Sequence, residues 1–304
     1  MAGYRPVFAE VDPATLTLSP VDVAHCLNPN TRALLPVHFA GLTCDLLALG
    51  KLADLHGLAL IEDAAHAFGS RRLPAAPPQV THAACFSFSA NKNITCGEGG
   101  AVATNDALLA ERMRRARYLG IETDTWRRQD LERPWSYQVL GPGYRYHLSD
   151  IHAAIGLQQL DRLESFRQRR CTLARRYDAA CAPLEFLQPV TRCLPDDIPH
   201  LYVLRVTRNL RDPLYLWLRQ RGIHCGVHYL PNHLQPAFRP FHRPLPVTEQ
   251  LAGQLLSLPL HTALADADQD RVILALRDFA NSPAVSRGRD ADPVEPQPVE
   301  TPAP

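Results

Sequence analysis

Apolar and polar positions fall into a strand and helix rhythm over the first hundred residues. Val7, Ala9 and Val11 alternate with Phe8 and Glu10, which predicts a strand that Asp12-Pro13 stops. Ser19-Pro20 then opens a short helix through Cys26, with serine at the cap and proline in the first turn. Ala33 to Phe39 is almost continuously apolar, as expected of a strand buried on both faces of a parallel sheet. Asp45 caps a helix carrying Leu46, Leu47, Leu49, Leu52, Ala53 and Leu55, and His56-Gly57 ends it. Leu58 to Asp63 reads as a buried strand with acidic residues at its carboxyl end. Cys85 to Phe88 and Gly100 to Ala103 read as two more strands. This order predicts right-handed crossovers and a mainly parallel sheet, whose ligands bind outside the carboxyl ends of the strands.

Beyond that, Thr104-Asn105-Asp106 caps a helix ending near Gly120. Residues 121–146 have no clear period but hold Trp126, Trp135, Tyr137, Tyr144 and Tyr146, and a long aromatic-rich loop of this kind is more often functional than idle. Ser149-Asp150 caps a long helix through Tyr177 that links a large domain to a small one. Strands at Leu201 to Val206 and His224 to Tyr229, and helices near Asp212 to Arg221, Thr248 to Leu256 and Asp266 to Ala280, make the small unit α+β. The expected division is 1–150, 151–281, and a Pro-rich tail, 282–304, that is disordered.

Composition narrows the function classes. The 304 residues are 46% hydrophobic and 21% charged, enough for a sizeable core. A formal net charge of +1 without long charge runs makes nucleic acid and anionic membranes poor partners. No apolar run is long enough to span a bilayer, and the N-terminus lacks a signal-peptide h-region. Eight scattered cysteines without a Cys-x-x-Cys pair suggest reduced thiols in a cytoplasmic protein. His224, His228 and His233 raise a metal site, but no carboxylate stands at ligand spacing, so structural or sugar-contacting roles are the better reading.

The chemistry concentrates after the Cys85 strand. Lys92 follows it in a loop closed by Gly97-Glu98-Gly99-Gly100. A lone loop lysine is ordinarily just solvated. One desolvated beside a ligand can lose its proton and form an imine with a carbonyl. Asp63 also ends a strand, so both residues should face one crevice; its blander reading is a helix cap.

Two stretches then carry a resemblance. Ile61-Glu62-Asp63-Ala64-Ala65-His66-Ala67-Phe68-Gly69, and Phe86-Ser87-Phe88 followed by Lys92-Asn93-Ile94-Thr95 and Gly97-Glu98-Gly99-Gly100, resemble the DegT/StrS-type sugar nucleotide aminotransferases. These are fold-type I enzymes dependent on pyridoxal 5′-phosphate. Within them the lysine stretch is similar to the UDP-4-amino-4-deoxy-L-arabinose aminotransferase-like members. The resemblance implies an α/β fold with a mainly parallel central sheet flanked by helices, plus a small α+β C-terminal domain. It implies that Lys92 binds the cofactor as an imine and moves the proton, and that Asp63 keeps the pyridine nitrogen protonated. It places Ser87 at the phosphate and His66 beside the cofactor, where a satisfied core histidine is the competing reading. In the 143–150 stretch the family offers an asparagine to the partner subunit's cofactor; here Arg145 or His147 would serve. The segment holding His228, His233 and Gln235 would border the sugar nucleotide.

The implied reaction moves the amino group of glutamate to a keto-sugar nucleotide in a homodimer. It would serve surface polysaccharide, lipopolysaccharide or antibiotic sugar biosynthesis. Family members also carry an earlier strand and a Gly-Thr helix N-terminus for the phosphate, ahead of the segment matched here. Without them the sequence reads either as a fragment or wrongly chosen start of an active enzyme, or as a short form, and the latter leaves a second expectation, a truncated relative acting as a regulatory or partner subunit. A dehydratase of the same fold is disfavoured, because that chemistry goes with histidine at the position of Lys92.

Overall fold

A computed structural model of the chain describes residues 3–70, 81–122, 129, 135–190 and 197–288. Four strands, β1 (Ala33–Leu34), β2 (Ala59–Asp63), β3 (Ala83–Ser87) and β4 (Gly100–Ala103), pair in that order. β1, β2 and β3 run parallel and β4 is antiparallel to β3. Helix α1 (Pro20–Cys26) and helix α2 (Leu46–His56) pack on the sheet through Val23, Leu49, Ala53 and Leu60. Their caps are those the sequence predicts. Ser19 accepts from Asp22 N, Asp45 accepts from Ala48 N, and Gly57 takes the left-handed conformation.

Helix α3 (Ala107–Arg117), capped by Asp106, is followed by α4 (Asp150–Leu160) and α5 (Leu163–Cys181). The second sheet is antiparallel, ordered β5 (Leu187–Pro189), β6 (Tyr202–Val206) and β7 (Leu255–Leu258). With α5, α6 (Arg211–Gln220) and α8 (Asp266–Ala280), it encloses the largest core, around Tyr177, Tyr202, Leu214, Leu256 and Phe279. Each such side chain contributes roughly 1.5–3 kcal/mol by leaving water. The two buried tyrosine hydroxyls of this core are satisfied: Tyr177 donates to Pro259 O at 3.0 Å and Tyr202 to Asp178 Oδ1 at 2.7 Å. Among the described residues, no helix is long and apolar enough to cross a membrane.

Several expectations fail for local reasons. The Val7 to Val11 strand is absent; only a Val11–Leu18 bridge forms. Glu10 explains this: its carboxylate accepts from Val247 N and Thr248 N at 3.0 and 2.9 Å, and its N–H donates to Asp22 at 2.7 Å. The segment is bonded to α1 and to α7 (Pro246–Ala252) instead of to a ladder. In the Ala33 to Phe39 run only β1 and a Val37–Asp63 bridge pair with β2, and burial alternates, so the run lies at an edge with one face exposed.

The long linking helix is two, broken at Asp161-Arg162, where Arg162 N donates to Gln159 O in a tighter i→i−3 turn. His224 to Tyr229 is not a strand: the His228 ring lies against Gly226, and the stretch pairs only through a Gly226–Ser257 bridge. The helix expected to reach Leu256 stops at Ala252, with Gly253 as its C-cap, and β7 takes up Leu255 and Leu256. The tail is not featureless from Ser282 onward: α9 (Pro283–Gly288) buries Val285 in the core. Cys171 is disulfide-bonded, against the expectation of reduced thiols throughout, whereas Cys26, Cys44, Cys85, Cys96, Cys181 and Cys225 are free. Trp126 and residues 289–304 lie outside the described residues.

Candidate active site

The carboxyl ends of β2 and β3 lie side by side, with Asp63 in register with Cys85. Asp63 is pinned through its backbone N–H and carbonyl to the Pro36–His38 segment. His38 N donates to its carbonyl at 3.0 Å, and its own N–H donates to Pro36 O at 2.9 Å. Its side-chain Oδ1 accepts from Ala65 N at 3.0 Å, and Oδ2 has no protein partner among the described residues. Directly beneath is the buried pair His38 and Glu62, 2.8 Å apart and 0% and 1% exposed. Cys44 N donates to His38 Nδ1 at 3.0 Å, so the ring proton sits on Nε2 and is donated to Glu62.

Lys92 is carried by the turn after β3. Phe88 anchors that turn: its N–H donates to Gly99 O, and its carbonyl accepts from Cys96 N and Thr95 Oγ1. Gly97 takes φ +84° there, a conformation costly for other residues. Lys92 N donates to Ser89 O at 3.1 Å. The Lys92 side chain is half-buried; desolvation lowers its pKa from the ordinary lysine value, and the nearby Asp63 carboxylate partly offsets this.

His66 lies in the same group. It accepts from Ala40 N at Nδ1, 3.3 Å, and is 8% exposed. Burial, with the Lys92 charge adding, pushes its pKa down to about 4, so the ring is neutral at pH 7. Ser87, the last residue of β3, forms a hydroxyl pair with Ser89 at 3.3 Å.

Not every expected residue joins them. His228 does: it interacts electrostatically with His66 and is held by Ser257 Oγ at 2.9 Å. His233 is instead buried at 2% exposure, bonded to Glu249 at 3.0 Å, with its ring near those of Phe8 and His242. None of these partners belongs to the Lys92 group. Gln235 is half-buried beside it. Arg145 and His147 are exposed, the latter edge-on to Tyr118 at 5.7 Å, and no contact brings either to Lys92. Their stretch does flank the lysine turn, since Leu148 and His152 approach Gly99 and Gly97.

The structure adds four residues to which the sequence reading gave no role. His200 stacks on His66 with ring centroids 4.2 Å apart, and Tyr229 lies 6.3 Å from the same ring. Asn93 bridges His200 to the carbonyls of Phe68 and His66, and Ser257 holds His228. Tyr229 follows the expected His228, Asn93 follows Lys92 within the lysine stretch, and Ser257 opens Ser257-Leu258-Pro259-Leu260, a stretch that shares the resemblance; His200 had no signal. No group of three or more His, Cys, Asp or Glu among the described residues is placed to hold a metal ion.

The donor set fits pyridoxal phosphate: an amine of lowered pKa for an imine, a carboxylate oxygen left open for a pyridine nitrogen, and strand-end hydroxyls for a phosphate. Set at the carboxyl ends of a mainly parallel sheet, these groups define a fold-type I aminotransferase site. The chain belongs to the DegT/DnrJ/EryC1/StrS aminotransferase family, whose model matches residues 1–277.

Solved structures agree. The aminotransferase TlmJ from Streptoalloteichus hindustanus is 33% identical with a TM-score of 0.83, over 94% of this chain and 74% of that one. DesV from S. venezuelae, solved in complex with a ketimine intermediate, is 37% identical with a TM-score of 0.80, over 91% and 72%. NtdA from Bacillus subtilis, solved with bound cofactor PMP, is 26% identical with a TM-score of 0.80, over 91% and 63%. Sugar aminotransferases stand among the other neighbours. The protein is an aminotransferase of the sugar-modifying class, and its cofactor is pyridoxal phosphate.

Proposed function

We propose that the chain transfers the amino group of glutamate to a keto-sugar carried on a nucleotide, with Lys92 as the lysine that binds the cofactor. The observation that carries this is the half-buried Lys92 amine, of lowered pKa, next to Asp63 at adjoining strand ends. Bound pyridoxal phosphate supplies a carbonyl carbon that takes up the amino group and a ring that draws off the electron pair at the donor's α-carbon.

The protein's own groups do the rest. Asp63 Oδ2 holds the pyridine N–H, and the bonds at its backbone N–H and carbonyl keep the carboxylate aimed at it. Lys92 Nζ moves a proton between the donor's α-carbon and the cofactor's C4′ carbon, a task favoured by the direction of its pKa shift, downward through desolvation. Ser87 binds the phosphate. Neutral His66, its Nδ1 occupied by the Ala40 N–H, turns an Nε2–H donor to the cofactor. His228 and, further out, Gln235 line the sugar nucleotide's approach.

A homodimer completes the reading. Among the described residues α3 and α4 bury no side chain, and Ile151, Leu157, Tyr144 and Tyr146 stand exposed beside them. A second copy covering that face would lay Arg145 or His147 against the first copy's cofactor phosphate. Such a sugar feeds surface polysaccharide, lipopolysaccharide or antibiotic synthesis, in the cytoplasm where nucleotide sugars are made.

The test separates the two halves of the reaction. Cofactor-loaded protein mixed with glutamate alone should lose its visible band, converting to the amine form. Subsequent addition of a keto-sugar nucleotide should restore it. Restoration by the free keto-sugar at equal rate would remove the nucleotide from the proposal, and no bleaching by glutamate would remove the donor.

A further inference from the structure

His200 belongs to the segment leading into β6, yet it touches both elements that carry the site. Its backbone N–H donates to Ala40 O at 3.0 Å, and its ring lies on His66. The buried Arg170 of α5 grips the segment from the other side, donating from Nη1 to the carbonyls of Pro199, His200 and Leu260 at 3.3, 3.1 and 3.3 Å. The approach is close enough to demand glycine at position 41, where a Cβ would stand 2.3 Å from Ile198 O.

The hydrogen bonds assign the protons. The Asn93 amide nitrogen donates to Phe68 O at 3.1 Å and His66 O at 3.5 Å, so its oxygen is the atom facing His200. That oxygen lies 3.2 Å from His200 Nδ1 and can only accept. His200 is 3% exposed and neutral, so its one ring proton must sit on Nδ1. His66, His38 and His82 are the opposite tautomer, each accepting a backbone N–H at Nδ1. Of these four rings, His200 alone turns its Nδ1–H to a side chain adjoining Lys92.

We propose that His200 is a positioning residue for Lys92: its Nδ1–H clamps the Asn93 carboxamide and so fixes the lysine's turn and the His66 loop against the segment before β6. The inference rests on the reading of Lys92 as the lysine that binds the cofactor. A ring kept only for packing on His66 would need no proton on Nδ1, and phenylalanine would fill the same space. The clamp acts through geometry. Displacing a reacting amine by about 1 Å costs up to about 10²-fold in rate.

The experiment compares His200→Gln with His200→Asn in the full chain. Both lose the stack on His66, but asparagine's amide nitrogen lies where the ring Nδ1 lies, whereas that of glutamine reaches towards Nε2. The readout is the rate at which apo-protein forms a borohydride-reducible adduct at Lys92 with pyridoxal phosphate, alongside the unfolding midpoint. H200Q should form it about 10-fold more slowly and H200N within about threefold of wild type. Equal slowing of both variants, or of neither, overturns the proposal.

A second measurement needs no variant. ¹⁵N histidine spectra of the wild-type chain at pH 5 should contain a neutral ring protonated at Nδ1, and its absence overturns the proposal even if both variants fail to fold. A wild-type chain with no adduct at Lys92 contradicts the parent reading, whereas a normal wild-type adduct with H200Q unchanged contradicts this inference alone.

Discussion

The strand-end site and the face formed by β4, α3 and α4 are adjoining surfaces, and they are built on opposite terms. Around Asp63 and Lys92 a buried network is bonded within the chain, from the His38–Glu62 pair to the Asn93 bridge, and it leaves Asp63 Oδ2 open. On the other face α3 and α4 bury nothing among the described residues, β4 is largely exposed, and Tyr144 and Tyr146 stack on each other in solvent. The contrast separates what one copy organises for itself from what a second copy would supply. The lysine, the ring-nitrogen carboxylate and the neutral histidine pair belong to the first kind. On the proposed dimer, Arg145 and His147 would belong to the second, and in the single chain no contact among the described residues brings either to Lys92.

The sharpest break of that contrast is in the self-contained half. Asp63→Asn keeps the shape and the Ala65 contact but cannot hold a protonated pyridine nitrogen, and turnover should fall roughly 10³-fold with the fold intact. Steady-state kinetics beside a melting curve would check this; a loss under tenfold would move the ring-nitrogen partner elsewhere.

Next is pH. The pKa of His66 is lowered from 6.5 to about 4 and that of His200 from 6.5 to about 2. The unfolded chain therefore binds more protons than the folded one below 6.5, and stability falls as pH drops through that window. Between pH 7 and pH 5 each ring should cost about 2 kcal/mol. Denaturant titrations at the two pH values measure it, and H200N should remove about half of the slope. A flat profile would contradict the neutral pair.

The smallest effect is expected on the open face. Ile151→Asp should turn a dimer into monomer by sedimentation and weaken cofactor retention about tenfold, as should Arg145→Gln or His147→Gln without dissociation. A wild-type monomer that retains cofactor would erase the comparison.

Much of the pocket was legible from the sequence because it depends on local chemistry. The caps at Ser19, Asp45, Asp106 and Ser149 and the strand end at Asp63 follow from short-range rules and lie where those rules place them, while the strand expected over Cys85 to Phe88 runs from Ala83 to Ser87. What escaped depends on contacts distant in the chain. The Val7 to Val11 alternation reads as a strand until Glu10 is seen bonded to Val247 and Thr248. His233 reads as a surface ligand until Glu249 and Phe8 close around it. His200 carried no motif, and its role comes only from Asn93, more than a hundred residues away.

The most direct test of the central claim uses the scarcity of lysine in this chain, which has only Lys51 and Lys92. Protein incubated with pyridoxal phosphate is reduced with borohydride, digested and mapped by mass. The phosphopyridoxyl group is expected on Lys92, with exposed Lys51 unmodified at stoichiometric cofactor. Label on Lys51 alone, or on neither lysine, would contradict the assignment of this site.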